Sequence, residues 1–346
     1  VHDNEDNNGI VRTWGKFETS PEKRHHHKLL AMIDGYDPER GAKVVGHRGY
    51  FLKGVGVQLN MAIIQYGIDF LLKREYTLLQ PPLMMNKEPM SQTAQLEQFD
   101  EELYKVDCSS TKDTEKEDDK YLIATSEQPI SAFHQGEWLD PKSLPLRYGG
   151  VSTCFRKEAG NYGKDNWGIF RVHQFDKIEQ FVITSPEDSW KMHETMLQIA
   201  EEFYQSLGIP YRVVNIVSGA LNNAAAKKYD LEGWFPSFNT FRELVSCSNC
   251  TDYQSRSLGI RFGSKTGGEK AKFVHMLNST LCATTRTICA VLENYQTADG
   301  VNVPEALQPY MGGKKFLPFV IQEKDLPKPK GEAKPKANKD NNNAAK

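Results

Sequence analysis

Short runs of β-forming residues recur through the middle of the chain, and long helical segments interrupt them without a regular rhythm. Four such runs lie between residues 121 and 217, separated by glycine-containing or polar breaks, and they read YLIATSE, RYGGVSTCFRKE, GIFRVHQFDKIEQFVIT and YRVVNIV. One predicted helix, from Pro186 to Leu207, separates the last two runs. A parallel sheet needs a long crossover after each strand, whereas antiparallel strands do not. The pattern therefore predicts an α+β fold, in which helices flank a mainly antiparallel sheet.

The composition restricts the class of protein but does not indicate a reaction. The 346 residues include 43 Lys and Arg against 45 Asp and Glu, and 39% are apolar. These values are typical of a globular protein and exclude a chain that is disordered, collagen-like or rod-like throughout. Six cysteines in a chain of this length do not form a disulfide framework, so we expect a reducing, cytosolic compartment. No run of ~18 uncharged apolar residues is present, so we expect no membrane span.

The two ends of the chain differ in composition from the region between them. Residues 1–24 are polar and acidic, and we expect residues 1–10 to be disordered. Residues 25–322 contain the long predicted helices and strands and form one folded domain. The basic segment 323–346 has too few apolar residues to pack a core, so we predict a disordered extension. Within the domain, the charged segment 107–120 predicts an exposed loop or hairpin tip.

Two helices and one strand are predicted from the spacing of apolar residues. A 3.6-residue spacing runs from about Val57 to Arg74, and a second amphipathic helix is predicted from Ala283 to Tyr295. Between them, a short strand begins at Tyr76 and ends at a pair of prolines, which have no N–H to donate to a sheet.

Two groups of potential metal ligands are present, and neither predicts a metal site. The run from His25 to His27 places adjacent rings on different faces and lacks a carboxylate at ligand spacing, so we expect it to be solvated. Cys247 and Cys250 form a Cys-x-x-Cys pair, but no second pair stands at a fitting distance. We therefore expect structural thiols and no zinc.

The run that ends at Thr184 carries functional side chains on one predicted face. Because strand residues alternate between faces, five of them share a side: Arg171, His173, Phe175, Lys177 and Glu179. Arginine offers a planar fork to phosphate or carboxylate, and phenylalanine offers a stacking surface. This face suits the wall of a polar cleft, and a charged strand facing solvent is an equally good interpretation.

Two shorter clusters also admit two interpretations. Thr125, Ser126 and Glu127 close the first run, where they could bind a ligand or simply begin a helix. Arg286 lies in the first turns of the last helix, where it could form an anion site or lie on the surface. The chain has neither a G-x-x-x-x-G-K-[ST] loop nor a G-x-G-x-x-G turn after a strand, so any nucleotide would bind by another route.

Taken in order, these segments resemble the three signature motifs of class II aminoacyl-tRNA synthetases, and within that class the cytoplasmic seryl-tRNA synthetases of eukaryotes. The helix and strand that end at Pro82 resemble motif 1, which builds the dimer interface in that family. FRKEAG with GIFRVHQFDKIEQF resembles motif 2, and LNSTLCATTRTICAVLENYQ resembles motif 3. The resemblance implies the class II catalytic fold over residues 25–322, a homodimer, and no membrane association.

The resemblance also implies a role for individual residues. Arg156 and Arg286 would be catalytic, and Glu243 and Ser246 would hold Mg²⁺ with the nucleotide. The ATP site would comprise Arg156, Lys157, Glu158, Arg171, Val172, Phe175, Glu243, Leu244, Val245, Ser246 and Arg286. The serine site would comprise Thr125, Ser126, Glu127, Arg156, Glu179, Asn278 and Thr280.

The implied reaction joins L-serine to ATP, giving seryl-adenylate and pyrophosphate, and then transfers serine to the 3′ end of tRNA(Ser), and also of tRNA(Sec). ATP and Mg²⁺ are the expected cofactors, and the cytoplasm the expected location. The heptad pattern of the family's N-terminal tRNA-binding arm is absent, so we expect adenylate formation to survive and tRNA charging to be weak.

Two rival interpretations predict different residues. An arm-less homologue that transfers an amino acid to a carrier protein would alter the amino-acid pocket and use zinc, whereas the Thr-Ser-Glu segment is intact here. An inactive paralogue would lose Arg156, Glu179 or Arg286, and all three are present. Serine activation is therefore the favoured hypothesis.

Overall fold

The computed structural model describes residues 4–19, 22–93, 102–107, 119–159, 165, 167–263 and 272–326. A twisted eight-stranded sheet forms the centre of the fold. In chain order its strands are β1 (Gly9–Trp14), β2 (Thr77–Leu79), β3 (Leu146–Phe155), β4 (Gln174–Thr184), β5 (Tyr211–Asn215), β6 (Lys227–Phe235), β7 (Thr240–Asn249) and β8 (His275–Ala283).

The strands lie across the sheet in the order β1-β5-β6-β7-β8-β4-β3-β2. Every neighbouring pair is antiparallel except β2 and β3, which are parallel. A single parallel edge pair leaves the sheet mainly antiparallel, so the predicted α+β class is confirmed.

Helices cover the sheet and complete the core. They are α1 (His26–Met32), α2 (Pro38–Val45), α3 (Val55–Leu72), α4 (Lys87–Thr93), α5 (Glu127–Ser131), α6 (Ser189–Ser206), α7 (Tyr253–Leu258) and α8 (Thr284–Tyr295). Helices α3, α6 and α8 all contact β4, and their apolar faces share one buried cluster with it. Short 3₁₀ turns occupy Glu5–Asn7, Pro141–Ser143, Ser218–Ala220, Glu305–Met311 and Glu323–Asp325.

Short strands outside the large sheet form small ladders. One ladder joins Met84–Asn86 to Lys120–Leu122, which also pairs with Lys105–Val106. The last two strands flank the charged segment predicted as a hairpin tip, and most of that segment, 108–118, lies outside the described residues. The remaining ladders join Tyr36–Asp37 to Phe51–Leu52, Trp138–Leu139 to Arg261–Phe262, Arg261–Phe262 to Lys272–Phe273, and Gly300–Asn302 to Phe316–Pro318.

Helix α3 begins at Val55, two residues before the predicted start. Its predicted apolar stripe is buried at Leu59, Ile63, Phe70 and Leu71. This helix is also long and apolar enough, by length and composition, to cross a membrane. This is weak evidence for a span, because a core helix of a soluble protein passes the same test and α3 packs on α8 and β4.

Two predicted strand runs are shorter than expected. Strand β4 begins at Gln174, because its ladder with β3 ends at the pair Gln174 and Phe155. Arg171 and His173 therefore precede the strand, and the predicted five-residue face is wrong for these two. Only the first two residues of the run YLIATSE lie in a strand, Lys120–Leu122, after which the backbone bends into α5.

The expectation of disorder at the N-terminus is wrong for the residues described there. Strand β1 pairs with β5 at the edge of the large sheet, and Arg12 forms an ion pair with Glu201. At the other end, Glu323 forms ion pairs with Arg24 and Lys28, so the first residues of the predicted extension contact the domain. Residues 327–346 of that extension lie outside the described part.

The histidine run is not solvated as predicted. His26 is buried, and its Nδ1 lies 2.9 Å from Glu293 Oε1 of α8. Its backbone N–H donates to the same oxygen over 3.0 Å. Local sequence patterns do not predict this contact, because His26 and Glu293 are 267 residues apart in the sequence.

Candidate active site

A polar cleft opens where β4, β7 and β8 meet the start of α8. Its walls include most of the predicted site residues: Thr125, Glu127, Arg156, Glu158, Arg171, Val172, Phe175, Glu179, Glu243, Leu244, Ser246, Asn278, Thr280 and Arg286. Residues from four separate segments thus meet in one place. Sequence reasoning left out further lining residues, namely Phe170, Lys177, Asn222, Ser248, Ala283 and Thr285.

Strand alternation divides β4 between the core and the cleft. Ile178 and Val182 pack into the helical core, whereas Phe175, Lys177 and Glu179 line the cleft. The predicted functional face is therefore correct from Phe175 onward. Lys177 belonged to the alternating set, so strand periodicity could have placed it among the site residues. No pattern in the sequence marked Phe170 or Asn222 as lining residues.

A bulge between β4 and β8 brings two predicted residues together. Ile178 pairs with Cys282 and Glu179 pairs with Thr280, so Leu281 is an extra residue on β8. Cross-strand partners share a face of the sheet, which places Thr280 beside Glu179 in the cleft.

One end of the cleft is built around the carboxylate of Glu179. Its Oε2 accepts from the Lys177 ammonium over 2.7 Å and from the Ser126 hydroxyl over 3.1 Å, and the Thr125 hydroxyl donates to the same oxygen. Lys177 also donates to Thr125 Oγ1 over 2.7 Å. Lys177 is buried with Glu179, and a buried ion pair needs such additional hydrogen bonds.

A second carboxylate, Glu127, lies near the first. Its Oε1 accepts from the side-chain amides of Gln254 and Asn278, each over 2.9 Å. Burial, reinforced by the neighbouring Glu179 carboxylate, raises the pKa of Glu127 to about 7. The Glu127 N–H also donates to Thr125 Oγ1 over 3.2 Å, so this segment both begins a helix and lines the cleft.

The other end of the cleft is rich in guanidinium groups. Arg171 donates to Glu158 Oε2 over 2.8 Å, and Arg286 donates to the Glu243 carbonyl over 2.9 Å. The Arg286 guanidinium also lies 4.7 Å from the centre of the Phe170 ring. These contacts fix the planes of two cations at the entrance of α8, where an anion is favoured.

Arg156 connects the two ends. Its guanidinium lies 5.4 Å from the centre of the Phe175 ring, and its charge lowers the pKa of both Glu127 and Glu243 as a smaller contribution. Its backbone is held by His173, whose Nδ1 lies 2.9 Å from the Arg156 carbonyl oxygen. His173 does not line the cleft, and its observed contact is with the backbone of Arg156.

The predicted magnesium ligands lie on β7. Burial alone would raise the pKa of Glu243, but the Arg286 charge and other nearby cations lower it, so the carboxylate is ionised. Asp230 on β6 pairs with Ser246 across the ladder. Asp230 is 7% exposed, and its buried Oδ1 has no hydrogen-bond partner among the described residues. Burial, followed by the charge of Glu243, raises the pKa of Asp230 to about 7.

These residues suit a Mg²⁺ ion that is bound together with a nucleotide, rather than a metal ion held by protein ligands alone. Mg²⁺ prefers hard oxygen ligands and is usually held by one or two carboxylates together with substrate phosphates. In the described part of the chain, no group of three His, Cys, Asp or Glu could hold a metal ion. Glu243 and Ser246 supply oxygen donors on the cleft wall, so a bound nucleotide would have to complete the coordination.

Three predicted site residues do not line the cleft. Val245 faces the core on the other side of β7, and Ser126 is buried behind Glu179. Lys157 lies outside the wall, and its N–H donates to the Glu102 carbonyl over 3.0 Å. The cysteines of the Cys-x-x-Cys pair, Cys247 and Cys250, are buried free thiols.

Known proteins of similar sequence and structure identify the family of this chain. Residues 104–295 match the family model of the class II tRNA synthetase core domain (G, H, P, S and T). The chain is 64% identical to the cytoplasmic serine–tRNA ligase of Dictyostelium discoideum over 95% of this chain and 72% of that protein. It is 56% identical to the cytoplasmic enzyme of Saccharomyces cerevisiae over 98% and 74%.

Two solved structures share the fold closely. The cytoplasmic serine–tRNA ligase of Naegleria fowleri, in complex with AMP, superposes with a TM-score of 0.87 at 58% identity, covering 93% of this chain and 75% of that one. Seryl-tRNA synthetase from Pyrococcus horikoshii, complexed with ATP, superposes with a TM-score of 0.87 at 44% identity, covering 93% and 74%. The chain belongs to the serine–tRNA ligase family of class II aminoacyl-tRNA synthetases.

Proposed function

We propose that the chain activates L-serine with ATP and transfers serine to the 3′ end of tRNA(Ser), with tRNA(Sec) as a further acceptor implied by the family resemblance. One observation carries the proposal: a single cleft has two carboxylates at one end, guanidinium groups at the other, and Arg156 connecting them. An amino acid and a nucleotide triphosphate have the complementary charges. The relatives named above are cytoplasmic enzymes, and the cytoplasm is the location of this one.

The carboxylate end suits the ammonium and hydroxyl groups of serine. When Glu127 is ionised, Glu127 and Glu179 carry two negative charges and Lys177 carries one positive charge, so an incoming ammonium group would bring the pocket close to neutrality. The described residues give no donor to Glu127 Oε2 or to Glu179 Oε1, which leaves both oxygens for a ligand. A buried acceptor of this kind can reject an amino acid without a hydroxyl by about 10⁴–10⁵-fold.

The guanidinium end suits the nucleotide. Phe175 offers a ring for the adenine, with Val172 beside it on the wall. Arg171 and Arg286 would bind phosphate oxygens on the side of the leaving group, and Arg156 and Glu158 would contact the α-phosphate and the base. When bound, Mg²⁺ would neutralise phosphate charge, with Glu243 and Ser246 as its protein ligands.

Adenylate formation follows from this placement. A carboxylate oxygen of serine attacks the α-phosphorus, the bond from that phosphorus to the bridging oxygen breaks, and pyrophosphate leaves with the electron pair. The nucleophile is already ionised, so no general base is needed. Arg156 and Arg286 then stabilise the charge that develops on the phosphoryl oxygens, which is the largest catalytic term in such reactions.

Transfer completes the cycle. A terminal ribose hydroxyl of tRNA attacks the carbonyl carbon of the adenylate, the mixed anhydride bond breaks, and AMP leaves. The hydroxyl proton departs with the released AMP or solvent. The AMP complex of the Naegleria fowleri relative supports the AMP-forming reaction.

A homodimer is part of the proposal. Apolar side chains that a monomer would leave in water are exposed in motif 1, at Val57, Met61 and Leu72, and in the segment before it, at Val44, Val45 and Phe51. Contiguous exposed apolar surface is characteristic of protein–protein contact. We assign these residues to contact with a second copy of the chain.

Amino-acid-dependent ATP–pyrophosphate exchange tests the activation step directly. It is measured at constant Mg²⁺ with serine and, separately, with threonine, alanine and glycine. We expect exchange with serine alone, because the other amino acids lack the hydroxyl or add a methyl group. A folded chain that exchanges with none of them would favour the inactive paralogue, and equal exchange with alanine would contradict the pocket.

A further inference from the structure

Gln254 is fully buried behind the amino-acid end of the cleft. It lies in the first turn of α7, where the Tyr253 N–H donates to the Cys250 carbonyl over 3.1 Å. The next residue, Ser255, donates its hydroxyl to the Val274 carbonyl over 2.6 Å, which fixes the turn against the chain that leads into β8. Gln254 is 0% exposed, so its amide must be satisfied inside the protein.

The side-chain amide of Gln254 forms a hydrogen bond with Glu127 through its nitrogen. Its Nε2 donates to Glu127 Oε1 over 2.9 Å, whereas its Oε1 has no hydrogen-bond partner among the described residues. Turning the amide over would place its oxygen against the Glu127 carboxylate and lose the one side-chain bond that it makes to the described residues. The orientation of the side chain is therefore set by Glu127.

Gln254 acts on an oxygen that Asn278 also binds. The Asn278 amide donates to Glu127 Oε1 over 2.9 Å, so two neutral amides hold one oxygen of the carboxylate. The other carboxylate of the pocket is arranged in the same way, because three donors meet at Glu179 Oε2. Each acid thus has one oxygen bound by the protein and one without a donor from the described residues.

We propose that Gln254 is a positioning residue for amino-acid binding: together with Asn278 it fixes Glu127 so that the free oxygen of that carboxylate receives the ammonium group of the substrate. The proposal rests on the proposed serine pocket. Gln254 does not line the cleft, so it acts through Glu127 rather than by touching the substrate.

The substitution Gln254→Met tests the proposal, because methionine keeps the length of the side chain and removes the donor. A hydrogen bond to a charged group contributes about 1.5–3 kcal/mol, which corresponds to an increase of roughly 10- to 100-fold in the serine KM. We expect the ATP KM to change less than about twofold. The Gln254 amide stabilises the ionised form of Glu127, so its loss should raise the pKa of Glu127. We therefore also expect serine binding to weaken at a higher pH in the variant.

Two controls separate this effect from a general loss of stability. Gln205→Met removes an amide that donates to Tyr211 over 2.8 Å, outside the cleft, and should leave both KM values unchanged. In a Glu127→Gln background, Gln254→Met should add little to the loss already present, because the group it positions has been replaced.

A folded Gln254→Met variant with an unchanged serine KM would overturn the proposal, and so would equal increases in the serine and ATP KM. If Glu127→Gln also leaves the serine KM unchanged, the serine pocket itself is wrong. Should Gln254→Met fail to fold, Gln254→Leu also removes the donor without adding a polar group, and the same selective rise in serine KM is required.

Discussion

At the scale of single residues, the two ends of the cleft differ in how the protein holds its charges. Glu179 is held by a buried lysine, and Glu127 by neutral amides. Burial and the neighbouring Glu179 carboxylate raise the pKa of Glu127 to about 7, whereas the Arg286 charge keeps the pKa of Glu243 low. Glu127 therefore titrates in the physiological range.

This titration predicts a pH dependence of serine binding. Below pH 7 Glu127 is mostly protonated, and a neutral carboxyl binds an ammonium group weakly. Lys177 and Arg156 favour the charged form, and Glu179 opposes it. The serine KM should therefore fall as pH rises through about 7, by up to roughly tenfold per pH unit below that value.

Steady-state exchange kinetics between pH 5.5 and pH 8.5 check this prediction. The ATP KM, measured in the same series, is the internal control. A serine KM that stays constant across the range would contradict the assignment of Glu127, whereas Glu127→Gln should abolish the dependence.

A second prediction at the scale of single residues concerns Arg286. It is held by Glu243 and by the face of Phe170, so its plane is fixed before any nucleotide binds. Replacing it with Ala should reduce adenylate formation by at least about 10²–10³-fold, because a preorganised charge at the transition state is lost. The rate of serine-dependent ATP–pyrophosphate exchange measures the change, and a near-normal rate in a folded variant would refute the role.

At the scale of elements, the contact between α1 and α8 links the start of the domain to the helix that carries Arg286. Glu293 accepts from the backbone and the ring of His26 and from the hydroxyl of Ser237. Although burial disfavours a charged ring, the contacts with Cys289 and Glu293 raise the pKa of His26 to about 10. We therefore expect the contact to be an ion pair at neutral pH.

Breaking this pair should destabilise the fold. Glu293→Gln leaves a buried imidazolium without its carboxylate, and we expect a loss of about 3–5 kcal/mol in the free energy of unfolding. Glu323→Gln is the matched control, because Glu323 also pairs with cations of this region but is partly exposed, and should cost at most about 1 kcal/mol. Urea denaturation at pH 7 compares the two, and equal losses would mean that His26 is neutral.

At the scale of the whole molecule, helix α3 has two apolar faces. One packs on the sheet and α8, and the other carries exposed residues, including Met61 at 56% exposure. This second face explains why α3 is apolar enough to resemble a membrane span. A second copy of the chain would bury it.

Placing charges on this face should dissociate the proposed dimer. We expect Val57→Asp with Met61→Asp to give a monomer by analytical ultracentrifugation, since two carboxylates would be buried without partners. Val320→Asp changes another exposed apolar residue, 64% exposed and outside motif 1, and should leave the mass unchanged. A double variant that remains dimeric would place the interface elsewhere.

The sequence by itself determined the fold class, the family, and the order of the segments that build the cleft, because periodicity and motifs are local properties of the chain. It also predicted most of the lining residues, although their proposed roles still need the experiments above. Sequence periodicity could not locate the start of β4, since a strand begins where its partner's backbone starts to pair with it. Nor could it show that Gln254 supports Glu127 or that His26 is buried against Glu293. Those contacts join residues more than a hundred positions apart, and only the folded sheet and its helices bring them together.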